Sequence, residues 1–124
     1  NEKKGIDLTE GLQKRDFIHI NDVTEAFLIL INNIPSLKKD FYHFEVGSNE
    51  LISIRDFVTL VKKLCNNTNT SLNFGTLPYR NNEVMSTNVD TSFLKSLGWE
   101  ARYTLEDGLR DTINLERKSK ISER

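Results

Sequence analysis

The sequence predicts an α/β protein, or an α+β one where the chain stands alone. Short β-prone runs alternate with stretches whose apolar residues recur at helical spacing along the 124 residues. Capping residues stand at the heads of the helical stretches, and Pro or Gly stands at their ends. The pattern accommodates about three to four short strands and four helices around one core.

Residues 6–8 form the first strand candidate, and Thr9-Glu10-Gly11 is a turn signal after it. Residues 16–20 place Phe17, Ile18 and Ile20 around His19 and read as a strand. Asn21 or Asp22 can cap the helix that follows, and Glu25 stands three residues after Asp22, the spacing of a capping box. Val23, Ala26, Phe27, Leu30, Ile31 and Ile34 supply its apolar face, and Pro35 stops it. Residues 41–46 read as a further strand, closed by Gly47-Ser48-Asn49. Ser53 caps a second helix, with Asp56 three residues on and an apolar face of Ile54, Phe57, Val58, Val61, Leu64 and Cys65. A polar loop over 66–70 leads to a strand over 71–74. Residues 75–83 read as irregular, with Pro78 fixing the backbone before Tyr79-Arg80, and residues 84–89 as extended. Asp90 or Thr91 opens a short helix carrying Phe93, Leu94 and Leu97; Gly98 suits its left-handed stop, and Trp99 packs back on it. Thr104 caps the last helix, whose buried stripe is Leu105, Leu109 and Ile113. Gly108 inside that helix costs about 1 kcal/mol relative to Ala, a cost that a close packing contact would justify.

Charged residues make up 28% of the chain, hydrophobic ones 37%, and the formal net charge is -1, so no basic excess points to nucleic acid or to an acidic membrane surface. No apolar run reaches the length of a membrane span. The single cysteine, Cys65, permits no internal disulfide, which favours a reducing, cytoplasmic setting; it reads as an inert core thiol. Asn66-Asn67-Thr68 and Asn69-Thr70-Ser71 match the glycosylation pattern but read as accidents of a polar loop. The chain starts without Met or a signal peptide and is expected to be a piece of a longer protein, with flexible ends over 1–5 and 117–124.

Among chemical motifs, a glycine-rich dinucleotide loop, a Walker motif and a serine nucleophile elbow are all missing from the sequence. His19 and His43 stand 24 positions apart with no Cys or carboxylate at metal spacing, and both read as structural. Asp90 and Asp107 read as helix-start residues, and Asp111 and Glu116 as a solvated helix face. Two arginines stand out. Arg15 precedes a strand that hands over to a helix, and Arg80 lies in the rigid loop Leu77-Pro78-Tyr79-Arg80-Asn81-Asn82-Glu83. A planar guanidinium binds phosphate oxygens two at a time, so two of them from different loops can clamp a diphosphate. The competing reading pairs each with a nearby acid, Asp16 or Glu83, and on the residues alone the two readings weigh equally.

These same residues carry a family resemblance. Arg15-Asp16-Phe17-Ile18-His19-Ile20-Asn21-Asp22-Val23 resembles the "RDFIHVDDV" motif of the NAD-dependent epimerase/dehydratases, the extended short-chain dehydrogenase/reductases that act on nucleotide sugars. Phe44-Glu45-Val46-Gly47-Ser48 with Ile52-Ser53-Ile54-Arg55-Asp56 resembles "YNVGSG…SIRE", and Leu77 to Glu83 resembles the "RPGD" region. Leu97-Gly98-Trp99-Glu100 and Leu105-Glu106-Asp107-Gly108-Leu109 resemble "LGWEP…SLEEGL". Each motif is weak by itself; five in order, from Ile6 to Ile113, are specific. The resemblance implies that Arg15 and Arg80 bind the diphosphate of a nucleotide sugar, with Tyr79 beside them. It implies that Glu83, in the place of an Asp, reaches the ribose. Asn82 replaces the usual Gly and Glu45 the usual Asn. The family's glycine motif and its Tyr-x-x-x-Lys catalytic pair are not in this sequence, so the chain resembles the C-terminal, substrate-binding portion of a Rossmann enzyme. NAD or NADP is then expected in the parent enzyme, not bound tightly by this piece, and the piece alone is expected to be non-catalytic. The alternative is a non-catalytic nucleotide-sugar binding module or a structural remnant. An isolated piece would expose a sheet edge and apolar faces, so a homo-oligomer is expected.

Overall fold

The computed structural model describes residues 4–123. Along the chain come β1 (Gly5–Leu8), β2 (Lys14–Asp16), α1 (Ile20–Asn33) with a 3-10 turn (Ile34–Ser36), β3 (Leu51–Ser53), α2 (Ile54–Leu64), β4 (Ser71–Phe74), α3 (Ser92–Ser96) and α4 (Leu105–Ser122). The class is the mixed α/β one that the alternating pattern predicts. Two small sheets hold it together. β1 and β4 pair in parallel, Gly5 opposite Ser71 and Leu8 opposite Phe74. β2 and β3 pair antiparallel, Lys14 opposite Ser53 and Asp16 opposite Leu51. β3 runs straight into α2, so the helix start is tied to the ladder: Ile54 N–H donates to Gln13 O at 3.0 Å and Arg55 N–H to Gly11 O at 2.9 Å.

The helix ends follow local chemistry. Ser53 accepts from Asp56 N–H at 3.1 Å and Thr104 from Asp107 N–H at 3.1 Å, each satisfying a donor the helix leaves free. At the end of α2, Asn66 N–H donates to Lys63 O and Asn67 N–H to Lys62 O, with Asn66 at φ 54° in the left-handed region. That is a Schellman closure with Asn in the position Gly usually takes. Cys65 sits at this C-cap, half-buried. Thr91 holds the N-cap position of α3, while the Asp90 carboxylate accepts from Ser92 N–H at 2.9 Å. Hydrogen bonds from the Ser92 side chain and backbone hold the Asp90 carboxyl below its ordinary range. Gly98 takes φ 92°, and Trp99 N–H then returns to Leu94 O at 3.1 Å.

The core gathers Ala26, Leu94 and Trp99, with Ile18, Ile29, Leu30, Phe44, Val46 and Ala101 against them. Asp22, 2% exposed, ties α1 to the approach of α4. Its carboxylate accepts from Arg102 N–H at 3.0 Å and Tyr103 N–H at 3.1 Å, and its carbonyl takes the Trp99 indole N–H at 3.0 Å. A buried carboxylate is stable only with such donors.

Several expectations are corrected. The strand expected over 16–20 is β2, over 14–16, because the chain opposite it turns away at Asn49, φ 63°, and leaves Phe17 nothing to pair with. His19, not Asn21 or Asp22, caps α1: its Nδ1 accepts from Asn21 N–H at 3.1 Å. Residues 41–46 form no strand, because among the described residues that segment has no backbone ladder partner; β3 was not anticipated at all. On α1, Ala26 is buried, but Phe27 and Ile31 of the expected core face are exposed, together with Ile20 and with Ile34 of the 3-10 turn. Asp111 is not simply a solvated charge, since it meets His19. The ends expected to be flexible are not among these corrections: residues 1–3 and 124 lie outside the described residues, Gly5 opens β1, and α4 runs as helix to Ser122 with Arg117 donating to Cys65 O at 3.2 Å.

Candidate functional site

β2 is three residues long, yet it organises two loops, one on each side. Successive side chains of a strand point to opposite faces, so Arg15 and Asp16 look in different directions. Asp16 faces the Gly47-Ser48-Asn49 turn. Its Oδ1 accepts from Ser48 N–H at 2.8 Å and from the Ser48 hydroxyl at 2.7 Å, and its Oδ2 accepts from Asn49 N–H at 2.8 Å. Gly47 must be Gly here, since a Cβ would stand 2.7 Å from Asp16 Oδ2 and 2.9 Å from Val89 Cγ1.

Arg15 faces the loop over 79–85. Its Nη1 donates to Lys14 O at 2.8 Å and to Val84 O at 2.7 Å, and its Nη2 donates to Glu83 Oε1 at 2.7 Å. Of the two readings left open by the residues, Arg15 therefore does pair with an acid. The acid is Glu83 from the other loop, not its neighbour Asp16. The loop is further joined to this edge by Lys14 N–H on Met85 O at 2.8 Å and by Leu12 N–H on the Tyr79 hydroxyl at 3.0 Å. Glu83 N–H donates to Arg80 O at 3.2 Å and closes a turn in which Asn82 takes φ 63°. Asn is the commonest non-glycine residue there, which accounts for Asn82 in a place where the resembled motif has Gly. The Arg80 side chain is exposed and makes no hydrogen bond among the described residues. So the structure joins Arg15 to Glu83 directly, fixes Tyr79 to the same edge through Leu12, and puts Arg80 at the mouth of the turn that presents Glu83.

A guanidinium has five N–H donors. Three are engaged here, leaving two for an incoming acceptor, and the Arg15 side chain is 29% exposed. The backbone carbonyls of Lys14 and Val84 fix its orientation before anything binds. That suits an anion site better than a mobile surface arginine.

A second cluster escaped the sequence reading. The His19 ring, 4% exposed, stacks on Tyr103 at 3.9 Å between centroids, and its Nε2 lies 3.0 Å from Asp111 Oδ2. Gly108 lies under it, where a Cβ would come within 3.3 Å of His19 Cδ2, which is the close contact its presence in α4 anticipated. An apolar cavity of about 190 Å³ opens beside it, lined in part by Phe17, Phe57, Leu105 and Leu109. The partners of His19 and Asp16 lie 92 and 32 residues away, so no local pattern announces them. Among the described residues no His, Cys, Asp or Glu cluster could hold a metal ion.

No family model matches the sequence. Homology and fold nevertheless define a class: the chain is homologous to part of the nucleotide-sugar epimerases, dehydratases and reductases, the extended short-chain dehydrogenase/reductases. It is 33% identical over 110 residues to CDP-abequose synthase of Salmonella muenchen, covering 89% of this chain and 36% of that protein. It is 30% identical over 108 residues to GDP-L-fucose synthase 1 of Arabidopsis thaliana, covering 84% of this chain and 30% of that one. Among solved structures it resembles a GDP-6-OMe-4-keto-L-xylo-heptose reductase from C. jejuni, with 25% identity and a TM-score of 0.78 over 94% of this chain and 34% of that one. MoeE5 in complex with UDP-glucuronic acid and NAD matches with 26% identity and a TM-score of 0.71 over 94% and 38%. The chain thus spans about a third of the length of the relatives it matches. No helix among the described residues is long and apolar enough to cross a membrane.

Proposed function

We propose that this chain is the substrate-binding, C-terminal portion of an NAD(P)-dependent nucleotide-sugar epimerase, dehydratase or 4-keto-reductase, working in the cytoplasm. Arg15 and Arg80 hold the diphosphate, with Tyr79 and Glu83 beside them. One observation carries the reading: the Arg15 guanidinium is fixed by two backbone carbonyls and keeps donors to spare at the turn that bears Arg80 and Glu83. The relatives support it. Their names carry CDP, GDP, UDP and dTDP, so the base varies while the diphosphate is common to all. A diphosphate anchor is what such proteins can share at this identity.

The residues present do not fit a dinucleotide. The six glycines form no G-x-G-x-x-G cradle, and the Gly47-Ser48-Asn49 turn has its N–H donors engaged by the Asp16 carboxylate, which would repel a phosphate. We therefore assign NAD(P) binding and the chemical step to sequence beyond this chain, and positioning to the chain itself.

The test is turnover by the intact protein, supplied with NAD(H) or NADP(H) and CDP-, GDP-, UDP- and dTDP-sugars. Sugar conversion is expected with one of them, and Arg15→Met is expected to raise KM by about tenfold or more, as loss of a charged hydrogen bond does. Absence of turnover with every nucleotide, while CDP or GDP still binds, would favour a non-catalytic binding module instead.

A further inference from the structure

We infer that Glu83 is the built-in counter-ion of Arg15, and that a diphosphate ligand enters this site by displacing it. The inference rests on the diphosphate reading of Arg15 and adds how the site discriminates among anions.

The two partners are held very differently. Arg15 is fixed by Lys14 O at 2.8 Å and Val84 O at 2.7 Å, two backbone contacts made without the Glu83 side chain. The Glu83 side chain has one partner among the described residues, Arg15 Nη2 at 2.7 Å. It stands just after Asn82, whose left-handed backbone makes the turn between Arg80 and Glu83. The cation is therefore rigid and the anion is the movable member. With the side chains 29% and 19% exposed, the pair is reachable from solvent yet partly shielded from it.

The electrostatic consequence follows directly. An arriving phosphate meets a neutral pair instead of a lone cation, and the carboxylate occupies the space on Nη2 that an oxygen of the ligand would use. Displacing the carboxylate frees an acceptor-only group that needs new donors. Inorganic pyrophosphate brings at most its own residual acid proton. A nucleoside diphosphate brings ribose hydroxyls next to its phosphates. The site thus resists simple phosphates and admits ligands that join a diphosphate to a polyol.

The experiment titrates the 124-residue chain with inorganic pyrophosphate and with CDP, by calorimetry and by amide NMR, using wild type, Glu83→Gln and Arg15→Met. Gln keeps the size of Glu and removes the charge. Pyrophosphate is expected to bind Glu83→Gln about fivefold to tenfold more tightly than wild type, the size of effect a nearby, partly screened like charge produces. The preference for CDP over pyrophosphate is expected to shrink in the same variant, and Arg15→Met is expected to abolish pyrophosphate binding. A readout independent of any variant is the Glu83 carboxyl carbon resonance in wild type, which is expected to move when pyrophosphate is added. Arg15-dependent binding with equal pyrophosphate affinity in wild type and Glu83→Gln, or an unmoved Glu83 resonance, overturns the counter-ion and leaves the diphosphate site standing. Binding undiminished in Arg15→Met, or no binding of either probe to wild type and Glu83→Gln, overturns the diphosphate site and the counter-ion with it.

Discussion

At position 19 the chain uses an imidazole where a helix N-terminus ordinarily has a hydroxyl, carboxamide or carboxylate. Because His19 Nδ1 accepts the Asn21 N–H, the ring proton must sit on Nε2, where it points at Asp111. The ring also stacks on Tyr103 and rests against the Gly108 backbone position. One side chain therefore joins the start of α1 to α4. His19→Ala removes a cap worth about 1 kcal/mol and a ring stack worth about another 1 kcal/mol, so a loss of about 2 kcal/mol is expected in urea unfolding. His19→Asn restores the cap without the stack and is expected to recover about half of it. Equal losses for both variants would show that the cap contributes nothing. The tautomer is open to direct inspection, because long-range nitrogen–proton NMR distinguishes a protonated Nε2 from a protonated Nδ1.

At the scale of elements, β2 works as a hinge plate between two loops, and Asp16 fixes the side away from Arg15. Its two oxygens accept three donors of the 47–49 turn. In Asp16→Asn one oxygen becomes an NH₂ facing an N–H that has lost its acceptor. A destabilisation of about 2–3 kcal/mol is expected, with faster amide exchange at Asn49 or Ser48, whereas Ser48→Ala is expected to cost about 1 kcal/mol. A stability loss no greater for Asp16→Asn than for Ser48→Ala would rule out the clamp. The same element shows what sequence reading can and cannot reach. Ser53, Thr104, Pro35 and Gly98 signal boundaries through their own backbone neighbours, and those boundaries stand where the residues put them. Asp16 and Asp22 act on residues 32 or more positions away, and nothing near them in sequence reveals it. The segment over 41–46 has strand composition, and Phe44 and Val46 do reach the core, but a strand needs a partner and none is supplied among the described residues. Of the candidate site, the two arginines were legible as arginines in unusual places. That Glu83 binds Arg15 and not the Arg80 of its own loop was not, since it depends on how the loop lies against β2.

For the whole molecule, the most informative feature is a helix with too many apolar faces. Ala26, Ile29 and Leu30 of α1 serve the core. Ile20, Phe27, Ile31 and Ile34, at helical spacing along another face, keep 66%, 62%, 57% and 59% of their surface. A helix that is hydrophobic all round belongs in an interior, and an apolar stripe of this kind is a contact surface. The chain spans about a third of its relatives' length; on the proposal that it is one portion of such an enzyme, the stripe is the face that the other portion covers. Two measurements separate this from an idle surface. The 124-residue chain is expected to self-associate at high concentration in light scattering, and Phe27→Lys with Ile31→Lys to return it to monomer with its helical circular dichroism intact. In the intact protein the same pair of substitutions is expected to lower stability by several kcal/mol, because each would force a charge into a covered apolar contact. A wild-type chain that stays strictly monomeric together with an intact protein indifferent to both lysines would mean that this face meets only water. The excess of apolar residues on α1 would then need another cause.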